Sequence, residues 1–163
     1  MTRSSTLYYH SPVGTLAVQA SDGAIVSVAL SNKKIVHKIT DPLLKKCKIE
    51  LDEYFAGTRT AFSLPLAMHG TEFQRAVWQA TADVPYGALA SYKDIARSAR
   101  KPAAARAVGN VCNANRLLII IPCHRIVHSD GRTSGYALGA ETKMWLLEHE
   151  RKRKAANVSV STF

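Results

Sequence analysis

The sequence predicts an α+β chain: an N-terminal α/β domain built on a small antiparallel sheet, then a C-terminal helical domain with a helix-turn-helix. The expectation rests on a change of texture along the chain. Short apolar runs alternate with turn residues over 6–30, whereas the chain beyond residue 70 falls into capped segments of helical length. Two of those later segments flank a short break, and the second is rich in small residues.

Leu7-Tyr8-Tyr9, Leu16-Ala17-Val18 and Ile25 to Leu30 read as strands. Ser11-Pro12-Val13-Gly14 and Ser21-Asp22-Gly23 supply the turns between them, which makes an antiparallel meander. Residues 31–40 are ambiguous, and Ile35-Val36-His37-Lys38-Ile39 could form another strand. Asp41-Pro42 opens a helix, with Asp as cap and Pro in the first turn, where a missing N–H costs nothing. Leu43, Leu44, Cys47, Leu51, Tyr54 and Phe55 follow helical spacing, and Gly57 suits the stop. Cys47 falls on that apolar stripe and reads as a buried structural thiol. Phe62 to Leu66 is a short extended connector whose Pro65 limits pairing. The domain boundary is placed near residue 68.

Thr71 with Gln74 forms a capping box, and Phe73, Ala76, Val77 and Ala80 mark one helical face. Val84-Pro85-Tyr86-Gly87 breaks the chain. Ser91 with Asp94 opens a helix through about Ala99, and Pro102 starts an Ala-rich helix running to about Cys112. Helix, break, helix is the outline of a helix-turn-helix. In Ala103 to Asn110 the small side chains would let a backbone approach DNA, with Arg106 the one long side chain. Helix-on-helix packing explains the small residues equally well. Leu117 to Ile121 reads as a buried strand that Pro122 ends. A last helix covers about Ala140 to Glu150, with Met144, Leu147 and Trp145 assigned inward, before Arg151-Lys152-Arg153-Lys154.

With 163 residues, the chain suits one medium domain or two small ones. The net charge is +10, unevenly spread: residues 1–69 carry 8 Lys/Arg against 5 Asp/Glu, residues 70–163 carry 14 against 7. The positive field therefore sits on the C-terminal part, where it would attract a polyanion, of which nucleic acid is the commonest. The three cysteines, Cys47, Cys112 and Cys123, are odd in number and make no CxxC pair, which argues against a disulfide framework or a thiolate zinc site. No apolar run approaches the ~20 residues of a membrane helix, and Met1 to Tyr9 lacks the apolar core of a signal peptide. An intracellular location is expected.

The sharpest chemical feature is Ile119-Ile120-Ile121-Pro122-Cys123-His124-Arg125-Ile126-Val127. A reactive cysteine must be a thiolate, so it needs a base or a positive charge nearby. His124 and Arg125 are adjacent, yet neighbours in an extended chain point to opposite faces. A link between Cys123 and His124 therefore calls for a tight turn or a bridging water. On these residues alone, a buried and inert cysteine fits as well.

The surrounding segments are more specific. Thr71-Glu72-Phe73-Gln74, Val77-Trp78, Val84-Pro85-Tyr86-Gly87, Ser91-Tyr92, Ala105-Arg106-Ala107-Val108-Gly109-Asn110, Asn115 and Ile121-Pro122-Cys123-His124-Arg125 occur in this order. Together they closely resemble the O6-alkylguanine-DNA alkyltransferase family (methylated-DNA–protein-cysteine methyltransferases). Gly135-Tyr136 and Leu146-Leu147-x-x-Glu150 extend the match, which spans about residues 62–150 and is vague over 1–61.

The resemblance implies an N-terminal α/β domain over 1–67, a DNA-binding and catalytic helix-turn-helix domain over 68–154, and a polar tail over 155–163. It implies a monomer, able to act cooperatively, that enters double-stranded DNA from the minor groove and flips an alkylated guanine into a pocket. O4-alkylthymine is a second lesion this chemistry could address. Cys123 attacks the alkyl carbon and keeps the alkyl group, so one protein repairs one lesion without a cofactor. His124 acts through water as base, Glu150 orients the imidazole, and Asn115 braces the active-site turn. Arg106, on a recognition helix with Ala105, Gly109 and Asn110, fills the gap left by the base. Tyr92 crowds the 3′ phosphate and can donate to guanine N3. Tyr136, Ala137, Leu138 and Pro122 line the pocket.

Two departures from the family pattern stand out. Leu138 replaces a usual second glycine and would narrow the pocket against bulky O6 substituents. Arg116 replaces a common proline after Asn115. Residues 1–69 hold no Cys/His set matching the zinc ligands of some relatives, so no metal is expected. Two other readings remain: a non-turnover sensor of alkylated DNA, and a cysteine hydrolase, which would have no use for Arg106 or Tyr92. The location would be cytoplasmic and nucleoid-associated in a prokaryote, nuclear in a eukaryote.

Overall fold

A computed structural model describes residues 3–35, 38–133 and 135–160. The chain forms two compact units, Met1–Met68 with Arg116–Leu118, and His69–Asn115 with Ile119–Phe163.

In the first unit β1 (Ser4–Ser11), β2 (Gly14–Ser21) and β3 (Ala24–Leu30) make an antiparallel sheet in chain order. Leu7 lies opposite Val18, and Val18 opposite Val28, so alternate residues share a face. Leu7, Tyr9, Leu16, Val18, Ile25 and Val28 are buried. Between β2 and β3, Asp22 and Gly23 both take positive φ, 50° and 78°, as a two-residue hairpin turn of this twist requires. Helix α1 (Pro42–Ala56) packs against β1 and β2. The Asp41 carboxylate caps it by accepting from the Leu43 and Leu44 N–H groups, and Gly57 ends it at φ 80°. Tyr9 Oη donates to Asp52 Oδ1 at 2.8 Å, tying strand to helix.

Two short segments cover the outer edge of β3. Ile25 N–H donates to Pro65 O at 2.8 Å, and Val28 N–H to Arg116 O at 2.7 Å. An edge satisfied in this way no longer offers a template for another strand.

The second unit contains α2 (Glu72–Ala82), β4 (Ala90–Ser91), α3 (Tyr92–Ser98), α4 (Ala105–Asn113), β5 (Ile126–Val127) and α5 (Ala140–Val160). Strands β4 and β5 pair in parallel. Capping boxes at Thr71/Gln74 and Ser91/Asp94 start α2 and α3, as their spacing predicts. Helices α2, α3 and α4 pack on one another, and the Trp78 indole donates to Val111 O at 3.1 Å.

The structure corrects four local expectations. Helix α4 begins at Ala105, not Pro102, because Lys101 to Ala104 form a turn in which Ala104 N–H bonds to Lys101 O. Leu117 to Ile121 is buried throughout but is not a strand. Its first two residues bridge to β3, and Ile119 then turns the chain at φ 73°. On α5, Met144 and Trp145 face outward, Leu147 is only half-buried, and the deeply buried face is Lys143, Leu146 and Glu150. Hydropathy selects the wrong face there because both charged residues have buried partners, given below. The same helix runs on to Val160, so the expected polar tail is helical over 155–160. Of the ambiguous strand at 35–39, Ile35, Lys38 and Ile39 lie outside regular structure, and Val36 and His37 lie outside the described residues.

Candidate active site

Pro122 leads into a single 3-10 turn, Cys123–Arg125, closed by Arg125 N–H donating to Pro122 O at 2.9 Å. The turn draws three consecutive side chains inward: Cys123, His124 and Arg125 are 3%, 0% and 6% exposed. An extended chain would have sent His124 to the opposite face from its neighbours.

Asn115 braces this turn. Its Nδ2 donates to Ile121 O at 3.0 Å and reaches Cys123 Sγ at 3.4 Å. The chain returns between them through Ile119 in the left-handed region. A β-branched residue rarely adopts that conformation, at a cost of about 1–2 kcal/mol.

Beside the cysteine lies a buried charge network. His124 Nε2 is 2.7 Å from Glu150 Oε1. Arg125 donates from Nε to Glu150 Oε2 at 2.9 Å and from Nη2 to Oε1 at 3.0 Å, while its Nη1 donates to Val84 O at 2.7 Å. Gly87 N–H donates to Glu150 Oε2 at 3.2 Å, from a turn at φ 72° in which a Cβ would meet Lys154 at 2.7 Å. The Val84-Pro85-Tyr86-Gly87 break is thus part of the network.

Burial alone would raise the Glu150 carboxyl, but hydrogen bonds from His124 and Arg125, and their charges, hold it far below the usual carboxylate range. Glu150 is therefore an anion. Burial lowers His124, against the hydrogen bond and charge of Glu150, so the ring is neutral at pH 7. A neutral imidazole beside a carboxylate carries its proton on Nε2. Its Nδ1, buried and without a hydrogen-bond partner, is the free lone pair.

Two more buried side chains, Cys112 and Lys143, act on Cys123. Cys112 lies on α4, and each of the two thiols shifts the titration of the other. That mutual influence holds Cys112 below the ordinary thiol value and pushes Cys123 above it, burial adding to the rise. Lys143, 1% exposed, donates from Nζ to Ile126 O at 2.6 Å. Burial lowers its ammonium, and the charges of both sulfurs raise it. Cys47 belongs to the first unit; burial pushes its thiol up to about 12, with the Glu50 charge adding.

On the surface of the same unit, Tyr92, Lys93, Ala105, Arg106, Gly109 and His128 line, with Ser129, a groove of about 320 Å³. The Tyr92 and His128 rings lie 5.2 Å apart, and a Cβ on Gly109 would make ordinary contact with Tyr92 at 3.8 Å. Arg106 is exposed there, and Asn110 is exposed on the same helix.

The residues selected from sequence thus fall into two clusters. Cys123, His124, Glu150 and Asn115 converge around the turn, and Tyr92, Ala105, Arg106 and Gly109 share the groove. Tyr136 meets His124 edge-on at 6.3 Å. Pro122 and Leu138 are buried, Ala137 is exposed, and Ser134 lies outside the described residues. Sequence reasoning misses Arg125 as a partner of Glu150, the Gly87 N–H as a donor to Glu150, the Val84 carbonyl as an acceptor from Arg125, and Cys112 and Lys143 altogether. Arg125 stands within the Pro122-Cys123-His124-Arg125 motif, and Val84 and Gly87 within Val84-Pro85-Tyr86-Gly87; nothing in the spacing singles out Cys112 or Lys143. Among the described residues, no group of three or more His, Cys, Asp or Glu could hold a metal ion, and no helix is long and apolar enough to cross a membrane.

Two family models match the chain: "6-O-methylguanine DNA methyltransferase, DNA binding domain" over residues 72–152, and "6-O-methylguanine DNA methyltransferase, ribonuclease-like domain" over 6–68. The constitutive methylated-DNA–protein-cysteine methyltransferase of Bacillus subtilis is 42% identical over 152 residues, 86% of this chain and 91% of the relative. The methylated-DNA–protein-cysteine methyltransferase of Methanosarcina barkeri is 39% identical over 153 residues, 88% of this chain and 97% of the relative. A crystal structure of Mycobacterium tuberculosis OGT in complex with DNA superposes with a TM-score of 0.80 at 37% identity, covering 92% of this chain and 93% of that one. With relatives this similar matched along nearly their whole length, and both parts of the chain matched by its models, this chain belongs to the 6-O-methylguanine DNA methyltransferase family.

Proposed function

We propose that this protein repairs alkylated DNA by direct reversal, moving the alkyl group of O6-alkylguanine onto Cys123. The observation that carries this reading is one buried turn that holds a braced thiol, Cys123, next in sequence to a neutral histidine whose only free lone pair is Nδ1.

The reaction balances without a cofactor. The Cys123 sulfur forms a bond to the alkyl carbon as the carbon–O6 bond breaks. The electron pair stays on the guanine, and the proton given up by the thiol ends on the base, leaving a thioether and ordinary guanine. His124 Nδ1 receives the thiol proton through a water. The imidazolium formed lies against Glu150, which is already ionised, so no group has to reorganise as the charge appears. Arg125 and the Gly87 N–H keep that carboxylate in place. A thioether is a poor leaving group, so the protein acts once.

The groove beside α4 is the DNA surface. Small residues at Ala105 and Gly109 let the helix approach the duplex, and Arg106 fills the space of the extruded guanine. Tyr92 borders the path of the rotating nucleotide. Tyr136, Ala137, Leu138 and Pro122 form the pocket, with Leu138 favouring small O6 substituents. Residues 68–154 form the DNA-binding and catalytic domain. The protein works where the chromosome lies, in the nucleoid of a prokaryote or the nucleus of a eukaryote.

A titration with duplex carrying radiolabelled O6-methylguanine tests the reading. Label on protein should saturate at one methyl per chain; continued turnover with a soluble methyl product would refute it. Substituting Arg106→Ala should slow transfer from duplex by about tenfold or more, because unstacking a base costs a few kcal/mol. Transfer from the free base O6-benzylguanine should not change. Equal losses on both substrates would assign Arg106 to the fold instead.

A further inference from the structure

His128 lines the groove beside α4 but takes no part in the steps above. Its position follows from the short parallel ladder of the second unit. Ala90 pairs with Ile126 and Ser91 with Val127, so the next residues, Tyr92 and His128, leave the ladder side by side. Their rings lie 5.2 Å apart and are tilted by 56°. That separation falls in the range over which tilted aromatic rings attract.

The backbone of His128 is fixed on both sides. Its N–H donates to Arg132 O at 2.9 Å, and its carbonyl accepts from Gly131 N–H at 2.9 Å. Asp130 closes the same turn, accepting from Arg132 N–H at 3.0 Å and from Arg132 Nε at 2.6 Å. The preceding residues, Ile126 and Val127, are buried, and Ile126 O accepts from Lys143 Nζ at 2.6 Å. His128 itself is exposed, so core packing does not account for its contact with Tyr92. Tyr92 is the first residue of α3, and the part of α4 that approaches its ring is Gly109, which offers no side chain. His128 supplies a ring where Gly109 supplies none.

We propose that His128 is a positioning residue for base flipping: its ring holds the Tyr92 ring at the groove, in fixed relation to the turn that carries Cys123. This rests on the repair reading above. The relation is fixed because one short stretch carries both groups: β5 follows the Cys123–Arg125 turn directly, and His128 follows β5. A nucleotide leaving the duplex passes Tyr92, and a tyrosine ring free to swing would guide that rotation less well. A free base needs no rotation, so its reaction does not call on the pair.

The test measures single-turnover methyl transfer from an O6-methylguanine duplex and from O6-methylguanine as free base. It uses the full chain, its His128→Ala, His128→Phe and Tyr92→Ala variants, and the variant carrying both alanines. His128→Ala should slow transfer from saturating duplex about fivefold, the size of one aromatic ring contact. Its transfer from free base should stay within about twofold of the parent. His128→Phe keeps a ring without the nitrogens and should stay within about twofold of the parent on both substrates. Added to Tyr92→Ala, the change His128→Ala should cost nothing further, because the ring it positions is gone. Parental duplex rates for His128→Ala, or losses that multiply in the double variant, would overturn the proposal. A phenylalanine variant as slow as alanine would overturn it too, and would assign the imidazole nitrogens a contact with DNA. Equal losses on the two substrates would overturn it in favour of a role in shaping the Cys123 turn. A parent protein that moves no methyl from duplex would refute the repair reading itself, whereas an active parent with an unaffected His128→Ala variant would refute this inference alone.

Discussion

Cys123→Ala abolishes alkyl transfer while leaving affinity for a duplex with one O6-methylguanine within about twofold of the parent. The first part is expected because no other sulfur can take over. Cys47 lies in the first unit and is held protonated by burial, with its thiol pushed up to about 12. Cys112 is buried on α4 and is not the residue that Asn115 braces. The second part is expected because the groove residues Tyr92, Ala105, Arg106 and Gly109 do not depend on the thiol. Single-turnover transfer assays and fluorescence anisotropy on the same duplex measure the two halves. Transfer retained by the variant would mean that another residue is the acceptor.

Glu150→Gln should be the most damaging substitution to the fold and nearly as damaging to transfer. Glu150 is 1% exposed and faces His124, Arg125 and the Gly87 N–H. Removing one partner from such a network leaves Arg125 buried without its counter-charge, a loss of about 3–5 kcal/mol. A glutamine can also offer its amide N–H to His124 Nε2. That would move the imidazole proton to Nδ1 and remove the lone pair on which the mechanism relies. Transfer should fall by roughly a thousandfold, by analogy with misoriented histidines in hydrolase triads. Urea melts and single-turnover rates check the two effects. A variant with parental stability and rate would contradict the network's role.

The same groups set the acid sensitivity of the fold. Both His124 and Glu150 have folded values below their ordinary ones, 6.5 and 4.5. The unfolded chain therefore binds protons more readily than the folded one below those values. Their stabilisation is complete above about pH 6.5. It declines first as His124 resists protonation, and further below 4.5 as Glu150 does. Thermal midpoints from pH 8 downward should follow that course. In Glu150→Gln the decline below 4.5 should be shallower.

Much of the fold and of the site is legible in the residues themselves. Turn residues place the three strands, and the capping pairs Thr71/Gln74 and Ser91/Asp94 place two helices, because these signals act within a few residues. Cys123, His124, Asn115 and Glu150 can be named from ordered motifs although they come together only in space. What stays hidden depends on long-range partners. The run Leu117 to Ile121 is as buried as a strand, but a left-handed Ile119 turns it, and apolar composition alone does not distinguish the two. On α5, hydropathy favours Met144, whereas the buried face is set by Lys143 and Glu150, whose partners Ile126, His124 and Arg125 lie more than one helix turn away in sequence. The mutual influence of Cys112, on a helix, and Cys123, on a turn, has no local signature at all.

Peptide mass spectrometry after mixing the protein with duplex containing one O6-methylguanine tests the identity of the acceptor most directly. One methyl group on the Cys123 peptide, saturating at one per chain with Cys47 and Cys112 unmodified, is the expected result. Tight binding to that duplex with Cys123 left unmethylated would contradict alkyl transfer, and would leave a protein that only holds the lesion.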